Sequence, residues 1–381
     1  MRMKKIHIVL SAPQMFGFMR GQGARLRTLG YMPTVISANS ESLDRQAAED
    51  GVGRRIIPIV RDISLGADLV TFLALCRIFH RDRPEAVMLS GPKAIFLGGM
   101  AAWLTAVPRR VAVYHGMRQE VMVGPLRRLL DICDRISFAC ADKVLVVSPS
   151  LGRLVVARGL VTADKVRVTG AGTANGVDCE WFDRTQDVQS ASELLLRKLA
   201  LRPGVPLLGF IGRITEDKGI VHLLDALDLI AEAHPDVVLL AVGPDEICTP
   251  TLRLRWNQAC TTGRVIWVGV VADVRPYLNL ISVHIFPSLR EGFGLAVVEA
   301  AALWVPSVAF RVTGVVDAID HGKTGVLVSP ADADALAAAT ICYLNDAQLS
   351  AQHGAAARER VQSLFAPEST WSAYQVALVR D

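Results

Sequence analysis

The stretch PSLREGFGLAVVEAAALWVP, residues 287–306, decides the fold of its part of the chain. The residues before it, VHIFPS, are rich in β-branched and aromatic side chains and end at Pro287-Ser288, which predicts a short buried strand. The small, apolar residues that follow predict a helix beginning near Gly294 or Leu295. A buried strand leading directly into an apolar helix is typical of a parallel sheet covered on both faces by helices.

The same alternation extends over the whole chain. In the first half, the predicted strands are KKIHIVLSAP, YMPTVISA, RRIIPIV, EAVMLSG, RRVAVYHG, DKVLVVS and KVRVTG. In the second half they are VPLLGFIGR, DVVLLAVGP, RVIWVGVV, VHIFPS, VPSVAF and GVLVSP. A polar segment, residues 183–204, separates the two sets and predicts a linker with a lead-in helix.

We therefore predict an α/β protein of two doubly wound Rossmann-like domains facing each other across a cleft. The first domain is expected at residues 1–185 and the second at 186–365, with a C-terminal helix at about 366–381 packing back on the first. Sheets of this kind bind ligands at the carboxyl ends of their strands, so the active site is expected in the cleft.

The composition indicates a reduced, cytoplasmic protein. Of the 381 residues, 51% are hydrophobic, enough for two cores. The longest apolar run, AIFLGGMAAWLTAVP, is shorter than the about 18 to 20 residues that cross a bilayer. The start, MRMKKIHIVLSAP, predicts a first strand rather than a secretory signal. The seven cysteines are scattered without a CxxC pair, which argues against disulfides and a zinc site.

Positive charge is concentrated in the first half of the chain. Residues 1–180 carry 25 Lys and Arg against 15 Asp and Glu, whereas the remainder carries 16 against 22. This asymmetry predicts that one domain faces an anionic partner, although ordinary variation between solvated surfaces also explains it. Nucleic acid is not expected, because no aromatic-interleaved strand or recognition helix accompanies the basic residues.

Two glutamates flank the start of the helix in the opening stretch. Glu291 is expected in the strand-to-helix loop and Glu299 about one turn inside the helix. Gly292 and Gly294 let the backbone approach a ligand, and amides at a helix start donate to phosphate or sugar oxygens. Two carboxylates are suitable acceptors for the hydroxyls of a sugar and a ribose. A capping role for Glu291 and a solvated Glu299 are the structural alternative.

A second cluster lies in GFIGRITEDKG, after the first strand of the second domain. Arg213 is expected at the strand end and Lys218 at the opening of the next helix. Two cations beside a helix N-terminus can hold a diphosphate, although each alone is equally an ordinary surface residue. The sequence contains neither a Walker loop nor a GxGxxG fingerprint.

Together these motifs resemble the C-terminal donor domain of the family 4 retaining glycosyltransferases, which have the two-domain GT-B fold. The resemblance is carried by GR-x4-KG, VGPDE, PS-x2-EGFGL-x3-EA and the pattern G-x2-DAI-x2-G-x-TG-x-LV of residues 314–328. FMRGQ, SGPKAIFLGGMAA, RRVAVYHGMRQE, ADKVLVVSPSL and GTANGVDCEWF are similar to the branch that builds capsular polysaccharides, O-antigens and related glycans. The resemblance covers nearly the whole chain.

The resemblance implies that the first domain binds the acceptor and the second the nucleotide-sugar donor. Arg213 and Lys218 would bind the donor diphosphate, and Glu291 the donor sugar. His115, at the end of YHG, occupies the position that faces the reacting sugar. Many members of this branch carry arginine there, so the histidine is a departure, and a purely structural role for it stays open.

The remaining donor contacts implied by the resemblance are made largely by the backbone. Glu299 would hold the ribose hydroxyls. The other expected donor-binding residues are Gly17 in the loop after the first strand, Val270 and Val271 beside the base, and Phe293, Gly294 and Leu295 at the helix start.

Transferases of this kind need no metal and no cofactor, since the nucleotide-sugar is a co-substrate. The one DxD, Asp332-Ala333-Asp334, heads an Ala-rich helix and is expected to cap it rather than to bind Mn²⁺. No pair of carboxylates is assigned as acid and base. In the family's retaining chemistry, the leaving diphosphate helps to deprotonate the acceptor, and the cations stabilise the charge that develops on it.

The predicted function is that of a retaining hexosyl- or N-acetylhexosaminyl-type glycosyltransferase. It would use a nucleotide-sugar, most simply a UDP-sugar, and a glycan or polyprenyl-linked glycan acceptor in cell-surface polysaccharide synthesis. The stretch MRQEVMVGPLRRLLDICDRISFACA predicts either an amphipathic helix on the anionic inner face of the cell membrane or an ordinary helix packed on the sheet. A transferase with a small soluble acceptor and a non-catalytic nucleotide-sugar sensor are the alternatives.

Overall fold

The computed structural model describes residues 3–60, 62–202 and 204–378. The chain forms two compact units, Met1–Gly176 with Pro367–Asp381, and Val177–Ala366. Each unit is built around one parallel β-sheet covered by helices.

In the described residues, the sheet of the first unit has seven parallel strands. They are β1 (Lys4–Leu10), β2 (Tyr31–Ser37), β3 (Gly53–Ile56), β4 (Ala86–Ser90), β5 (Arg109–Tyr114), β6 (Lys143–Val146) and β7 (Val166–Val168). Their order across the sheet is β3-β2-β1-β4-β5-β6-β7. The chain therefore builds outward from β1 in one direction and then returns to add β4 on its other side.

The helices of the first unit cover both faces of this sheet. They are α1 (Gln22–Thr28), α2 (Glu41–Glu49), α3 (Leu65–Asp82), α4 (Gly99–Leu104), α5 (Pro125–Cys140) and α6 (Pro149–Ala157). Alternate strand residues point to opposite faces: Ile6 and Ile8 pack in one core with residues of α1 and α2, whereas the ring of His7 lies 5.9 Å from that of Phe79 on α3.

The sheet of the second unit has six parallel strands in the described residues. They are β8 (Leu207–Ile211), β9 (Val238–Val242), β10 (Val265–Trp267), β11 (Val283–Phe286), β12 (Ser307–Phe310) and β13 (Gly325–Val328). Their order is β10-β9-β8-β11-β12-β13, so the direction reverses between β8 and β11. Every strand predicted from the sequence is present, and the predicted fold class, two Rossmann-like α/β domains, is confirmed.

Helices again cover both faces of the second sheet. They are α7 (Gln186–Lys198), α8 (Ile220–Ala233), α9 (Pro250–Thr261), α10 (Arg275–Leu278), α11 (Leu295–Ala302), α12 (Val315–Ala318), α13 (Ala333–Asn345) and α14 (Ala347–Leu364). Phe210 of β8 packs in one core with α8, α9 and α13. Ile211 packs in the other core with α7, α10 and α11. The helices α8 and α11 therefore lie on opposite faces of the sheet.

The last helix, α15 (Pro367–Leu378), packs on the sheet of the first unit against β5 and β6. Arg109 Nε donates to the Ala377 carbonyl over 2.7 Å. Tyr374 Oη donates to the Ala174 carbonyl over 2.9 Å. These contacts join the end of the chain to the unit in which the chain begins.

The segment that precedes α7 belongs to the second unit. Val177 N donates to the Phe365 carbonyl over 2.8 Å, and Arg358 Nη1 donates to the Phe182 carbonyl over 2.8 Å. The boundary between the two units therefore falls after Gly176, whereas the sequence pattern predicts it after residue 185.

The apolar run considered above as a membrane span is part of the first unit's helical layer. It forms a π-helical turn, Ala94–Gly98, that continues into α4. Among the described residues, no helix combines the length and the apolar content needed to cross a bilayer.

Candidate active site

The first group of candidate residues lies in the loop between β8 and α8. This loop is joined to the loop after β9, because Ile214 N donates to the Pro244 carbonyl over 2.8 Å and Glu246 N donates to the Ile214 carbonyl over 3.0 Å. The Ile214 side chain is fully buried and anchors the loop. Arg213, next to this anchor, lies at the carboxyl edge of the sheet.

Two carboxylates hold the guanidinium of Arg213. Its Nη1 lies 2.9 Å from Glu246 Oε2 and its Nη2 lies 3.5 Å from Asp217 Oδ2. The Arg213 side chain is 37% exposed. The guanidinium is therefore both oriented by the protein and accessible to an anion from solvent.

The second group lies in the loop between β11 and α11, and an ion pair joins it to the first group. Lys218 Nζ is bonded to Glu291 Oε1, and the two side chains are only 16% and 13% exposed. The residues predicted to bind the diphosphate and the donor sugar therefore neutralise each other. A phosphate group that binds Lys218 must compete with Glu291 for the ammonium group.

Asp217 connects the same two loops at a second place. Its carbonyl accepts from Leu289 N over 3.0 Å, and its Oδ2 accepts from Arg290 Nη2 over 2.7 Å. Burial alone would raise the pKa of Asp217, but the hydrogen bond from Thr215 and the charges of Arg290, Arg213 and Lys218 hold it below its usual value. Asp217 is therefore ionised at neutral pH.

Two glycines allow the loops to approach this closely. Gly219 has φ 73°, and a Cβ there would lie 1.9 Å from the Pro287 carbonyl oxygen. Gly314 has φ 83°, and a Cβ there would lie 2.6 Å from the Gly292 carbonyl oxygen. Both positions combine a left-handed backbone with a close backbone contact, so only glycine fits without a shift.

The start of α11 presents backbone rather than side chains. Gly294 precedes the helix with φ 94°, and its carbonyl accepts from Val297 N over 3.0 Å. The Phe293 ring is buried against Phe365, with ring centroids 5.0 Å apart. Phe293, Gly294 and Leu295 can thus contribute amides to a ligand, as expected from a helix N-terminus.

Glu299 lies on the second turn of α11 and is half-buried. Burial raises the pKa of its carboxyl to about 7. None of the described residues forms an ion pair with it. Glu299 is therefore a carboxyl group whose ionisation near neutral pH depends on what it binds.

The loop after β10 completes this edge of the sheet. Gly243 N donates to the Gly269 carbonyl over 2.8 Å, which holds the loop next to the end of β9. Val270 is 74% exposed, whereas Val271 packs against the core below. The loop thus leaves Val270 exposed to solvent, at the position where the nucleotide base of the donor is predicted to bind.

The candidate residues of the first unit lie at the ends of β1, β4 and β5. Ser90 Oγ and His115 Nε2 are 2.8 Å apart, and the Phe18 ring lies 5.3 Å from the imidazole. Burial lowers the pKa of His115 to about 4, so the ring is neutral at neutral pH. Gly17 lies in the 3₁₀ turn Pro13–Met19, with open space at the position of a side chain.

Asp332 of the DxD sequence caps a helix, as the sequence predicts. Its Oδ1 accepts from Ala335 N over 2.9 Å at the start of α13. In the part of the chain that the structure describes, no three His, Cys, Asp or Glu side chains are grouped so as to hold a metal ion.

Three charged residues of the β8–β11 edge are missing from the sequence prediction: Asp217, Glu246 and Arg290. They lie beside predicted residues in TEDKG, VGPDE and LREG. The sequence did contain a signal for these residues, because each of the three motifs contains a charged residue that could pair with an opposite charge in another motif. Their partners, however, lie in other loops, and sequence spacing does not pair them.

Comparison with known proteins identifies the family. A family model described as "Glycosyl transferases group 1" matches residues 205–346, and one described as "Glycosyl transferase 4-like domain" matches residues 18–172. The capsular polysaccharide biosynthesis glycosyltransferase CapM of Staphylococcus aureus is 30% identical over 373 residues, 97% of this chain and 96% of that protein. The chain belongs to the family 4 glycosyltransferases. It lies in the branch of capsule and lipopolysaccharide enzymes, and the resemblance seen in the sequence is confirmed.

Two further proteins extend the comparison. The glycosyltransferase is 24% identical to the UDP-Gal:alpha-D-GlcNAc-diphosphoundecaprenol alpha-1,3-galactosyltransferase of Escherichia coli, over 79% of this chain and 77% of that protein. The crystal structure of Anabaena HepE in complex with UDP and glucose has the same fold, with a TM-score of 0.81 at 17% identity. That match covers 98% of this chain and 99% of HepE.

The pKa of Glu299 generates a prediction about pH. If Glu299 holds ribose hydroxyls, they donate best to the ionised carboxylate, so binding favours loss of its proton. UDP-glucose should then bind more tightly as pH rises from about 6 to about 8, and weaken by up to about tenfold per pH unit below the pKa. Calorimetry at several pH values, in buffers of different ionisation enthalpy, measures the affinity and the released proton.

Glu299→Gln is the matched control, because it keeps the shape and cannot ionise. Its affinity should not change with pH over this range. If wild type and Glu299→Gln show the same pH dependence, Glu299 does not contact the donor in this way.

Proposed function

We propose that this glycosyltransferase transfers a sugar from a UDP-sugar to a glycan or polyprenyl-linked glycan, with retention of anomeric configuration and without a metal ion. The observation that carries the proposal is the joining of the β8 loop to the loops after β9 and β11. Arg213 lies beside Asp217 of its own loop and Glu246 of the β9 loop, and Lys218 lies beside Glu291 of the β11 loop. Such a cluster of cations and carboxylates suits a ligand that is part diphosphate and part polyol.

The relatives support the choice of donor and acceptor. The name of the Escherichia coli relative specifies UDP-Gal and a diphosphoundecaprenol-linked acceptor. HepE was crystallised with UDP and glucose. The name of CapM specifies capsular polysaccharide synthesis. A UDP-sugar and a lipid-linked or polymeric glycan are therefore the substrates that we expect.

Departure of UDP places negative charge on the diphosphate, and the protein supplies the groups that stabilise it. Arg213 and Lys218 provide positive charge, and the amides of Phe293 to Leu295 provide donors at the positive end of α11. Groups held in place before the reaction stabilise a developing charge without further reorganisation. These groups therefore take the role that a divalent ion has in metal-dependent transferases.

Retention in a single direct transfer requires the acceptor to attack from the side on which UDP leaves. We assign Glu291 to the donor sugar, because it lies beside Lys218 and so next to the diphosphate position. The departing diphosphate would accept the acceptor proton. His115, being neutral, would contribute a hydrogen bond to the sugar rather than a charge.

The assay that tests the proposed function measures UDP release in EDTA. With a matching UDP-sugar, release should require a glycan acceptor, and EDTA should not change the rate, because the protein itself supplies the positive charge. A product with the anomeric configuration of the donor would establish retention. Loss of turnover in EDTA that Mn²⁺ or Mg²⁺ restores would contradict metal independence. UDP-sugar binding without acceptor-dependent release would favour a sensor.

The two glutamates should differ in what they bind. Glu299→Ala should weaken UDP itself as well as the UDP-sugar, because the ribose is common to both. Glu291→Ala should leave UDP affinity intact or increase it, since Lys218 loses its internal partner, while kcat with the sugar donor falls. The loss of affinity in Glu299→Ala and the loss of kcat in Glu291→Ala should each be about ten- to a hundredfold, the equivalent of one charged hydrogen bond.

Calorimetry with UDP and steady-state kinetics on both variants measure these effects. Glu291→Gln, which retains a hydrogen-bond acceptor, should lose less kcat than Glu291→Ala. If Glu291→Ala abolishes UDP binding in a folded protein while Glu299→Ala does not, the two roles are assigned wrongly.

A lipid-linked acceptor requires contact with a membrane, and one surface of the first unit suits this. The helices α3, α4 and α5 lie side by side. They expose large apolar side chains: Leu65 and Leu69 on α3, Trp103 and Leu104 on α4, and Leu126, Leu129, Ile132 and Ile136 on α5. We refer to these eight residues as the apolar helix surface.

The charges near the apolar helix surface favour an anionic bilayer over another occupant. On α5, Asp131 pairs with Arg158 over 3.1 Å, and Asp134 accepts from Tyr114 Oη over 2.6 Å. Both acids thus have a partner within the protein. Arg127 and Arg128 lie on the same helix without a carboxylate partner among the described residues. Basic residues around apolar side chains are typical of a helix that lies at an anionic lipid interface.

The membrane proposal predicts binding to vesicles containing phosphatidylglycerol. Replacing both Arg127 and Arg128 by Gln should weaken binding about thirtyfold, since each basic residue near such a surface contributes about 1 kcal/mol. The matched control is the exposed pair Arg197 and Lys198 on α7, whose replacement should have no effect. Cosedimentation at low and high salt measures the binding. Equal binding to neutral vesicles, unaffected by salt, would contradict the proposal.

A further inference from the structure

The carboxylate of Asp217 is held by three side chains. Its Oδ2 accepts from Arg290 Nη2 over 2.7 Å and from Arg213 Nη2 over 3.5 Å. Its Oδ1 accepts from Thr215 Oγ1 over 2.5 Å. Because both oxygens are engaged, the carboxylate cannot rotate without breaking a bond, and two guanidinium groups from different loops meet at one oxygen.

Arg290 has donors that its known contact does not use. A guanidinium carries five N–H groups in one plane, and the contact with Asp217 engages Nη2 only. Among the described residues, no acceptor is bonded to Nε or Nη1 of Arg290, and its side chain is 26% exposed. Arg290 also directly precedes Glu291, which is bonded to Lys218. A third cation is therefore present at the edge where the diphosphate is proposed to bind.

We propose that Arg290 is a second guanidinium ligand of the donor diphosphate and that Asp217 is the positioning residue that orients Arg213 and Arg290 toward it. This inference deepens the proposed function and rests on it. Guanidinium groups bind phosphate oxygens with directed pairs of hydrogen bonds, so their orientation affects the transition state more than their charge alone does.

The other carboxylates of the cluster differ from Asp217 in how they are held. The Glu246 carboxylate has one side-chain bond, to Arg213, and is 38% exposed. The Glu291 carboxylate is bonded to Lys218 alone among the described residues. Each can leave its cation by rotating a flexible side chain. A diphosphate can therefore replace Glu246 and Glu291 at the cations, while Asp217 stays and keeps both guanidinium groups in place.

The mechanism predicts opposite effects on binding and turnover for Asp217→Asn. Removing a negative charge beside the anion site should leave the affinity for inorganic pyrophosphate unchanged or tighter. Because the guanidinium groups lose their shared partner, kcat with the UDP-sugar should fall about ten- to a hundredfold, the equivalent of one charge-assisted hydrogen bond. A merely structural role for Asp217 would instead weaken both.

Arg290 variants test the ligand itself. Arg290→Gln should weaken pyrophosphate and lower kcat, each about tenfold or more. Arg290→Lys, which keeps the charge, should recover pyrophosphate affinity but little of kcat. The double variant Asp217→Asn with Arg290→Gln should lose less kcat than the product of the single losses, since both remove the same arrangement.

The matched control is Asp225→Asn, which breaks a similar pair with Arg255, 2.8 Å apart, on the helices α8 and α9. It should change neither pyrophosphate affinity nor kcat. Thermal unfolding of every variant checks the fold, and if Asp217→Asn does not fold, the two Arg290 variants decide the matter.

The inference is overturned if Arg290→Gln binds pyrophosphate as wild type does, or if the folded Asp217→Asn retains full kcat. It is also overturned if Asp217→Asn weakens pyrophosphate as much as it lowers kcat. A wild-type protein that binds neither pyrophosphate nor any UDP-sugar would instead refute the proposed function.

Discussion

The arrangement of the candidate site depends on the contact between the β8 loop and the β11 loop. These strands are neighbours in the sheet, but the chain reverses direction between them, and their helices α8 and α11 lie on opposite faces. A reversal of this kind opens a crevice at the carboxyl ends of the two strands. Here the crevice edges are held together by the bond from Leu289 N to the Asp217 carbonyl and by the packing of Gly219 on Pro287. Asp217 and Lys218 on one side and Arg290 and Glu291 on the other are brought together by this backbone contact.

The joined loops place several positively charged side chains close together. Cations brought this close would repel one another, and the protein offsets the repulsion by placing a carboxylate beside each: Asp217, Glu246 and Glu291. The half-buried Glu299 has no cation beside it among the described residues, and burial raises its pKa to about 7. If the donor binds here as proposed, binding is an exchange, in which phosphate and hydroxyl groups replace contacts that the protein makes with itself. The net affinity is then much smaller than the sum of the new bonds.

The sequence predicts the fold well because the deciding information is local. Apolar runs of strand length and helices that start after a glycine, as α11 does after Gly294, follow from residues adjacent in the chain. The same holds for Arg213 and Lys218, whose positions at a strand end and a helix start can be predicted. What could not be predicted are contacts across 73 positions, such as those from Asp217 to Arg290 and from Lys218 to Glu291. The attachment of residues 177–185 to the second unit was missed for a similar reason, because Arg358 binds backbone carbonyls in this segment and leaves no pattern in the sequence.

The two units carry different side chains at the same architectural feature, the reversal of strand order. In the first unit, the reversal lies between β1 and β4, and the side chains near it are Ser90, Phe18 and a histidine that burial keeps neutral. In the second unit, the equivalent place carries three cations and their carboxylates. In the proposed reaction, the negative charge that has to be stabilised develops on the leaving diphosphate, whereas the hydroxyl groups of the sugar and of the acceptor are uncharged. Under the proposed function, the neutral side chains of the first unit are suited to orienting hydroxyl groups and the charged side chains of the second unit to receiving the leaving group. A neutral histidine at position 115 is consistent with this proposal.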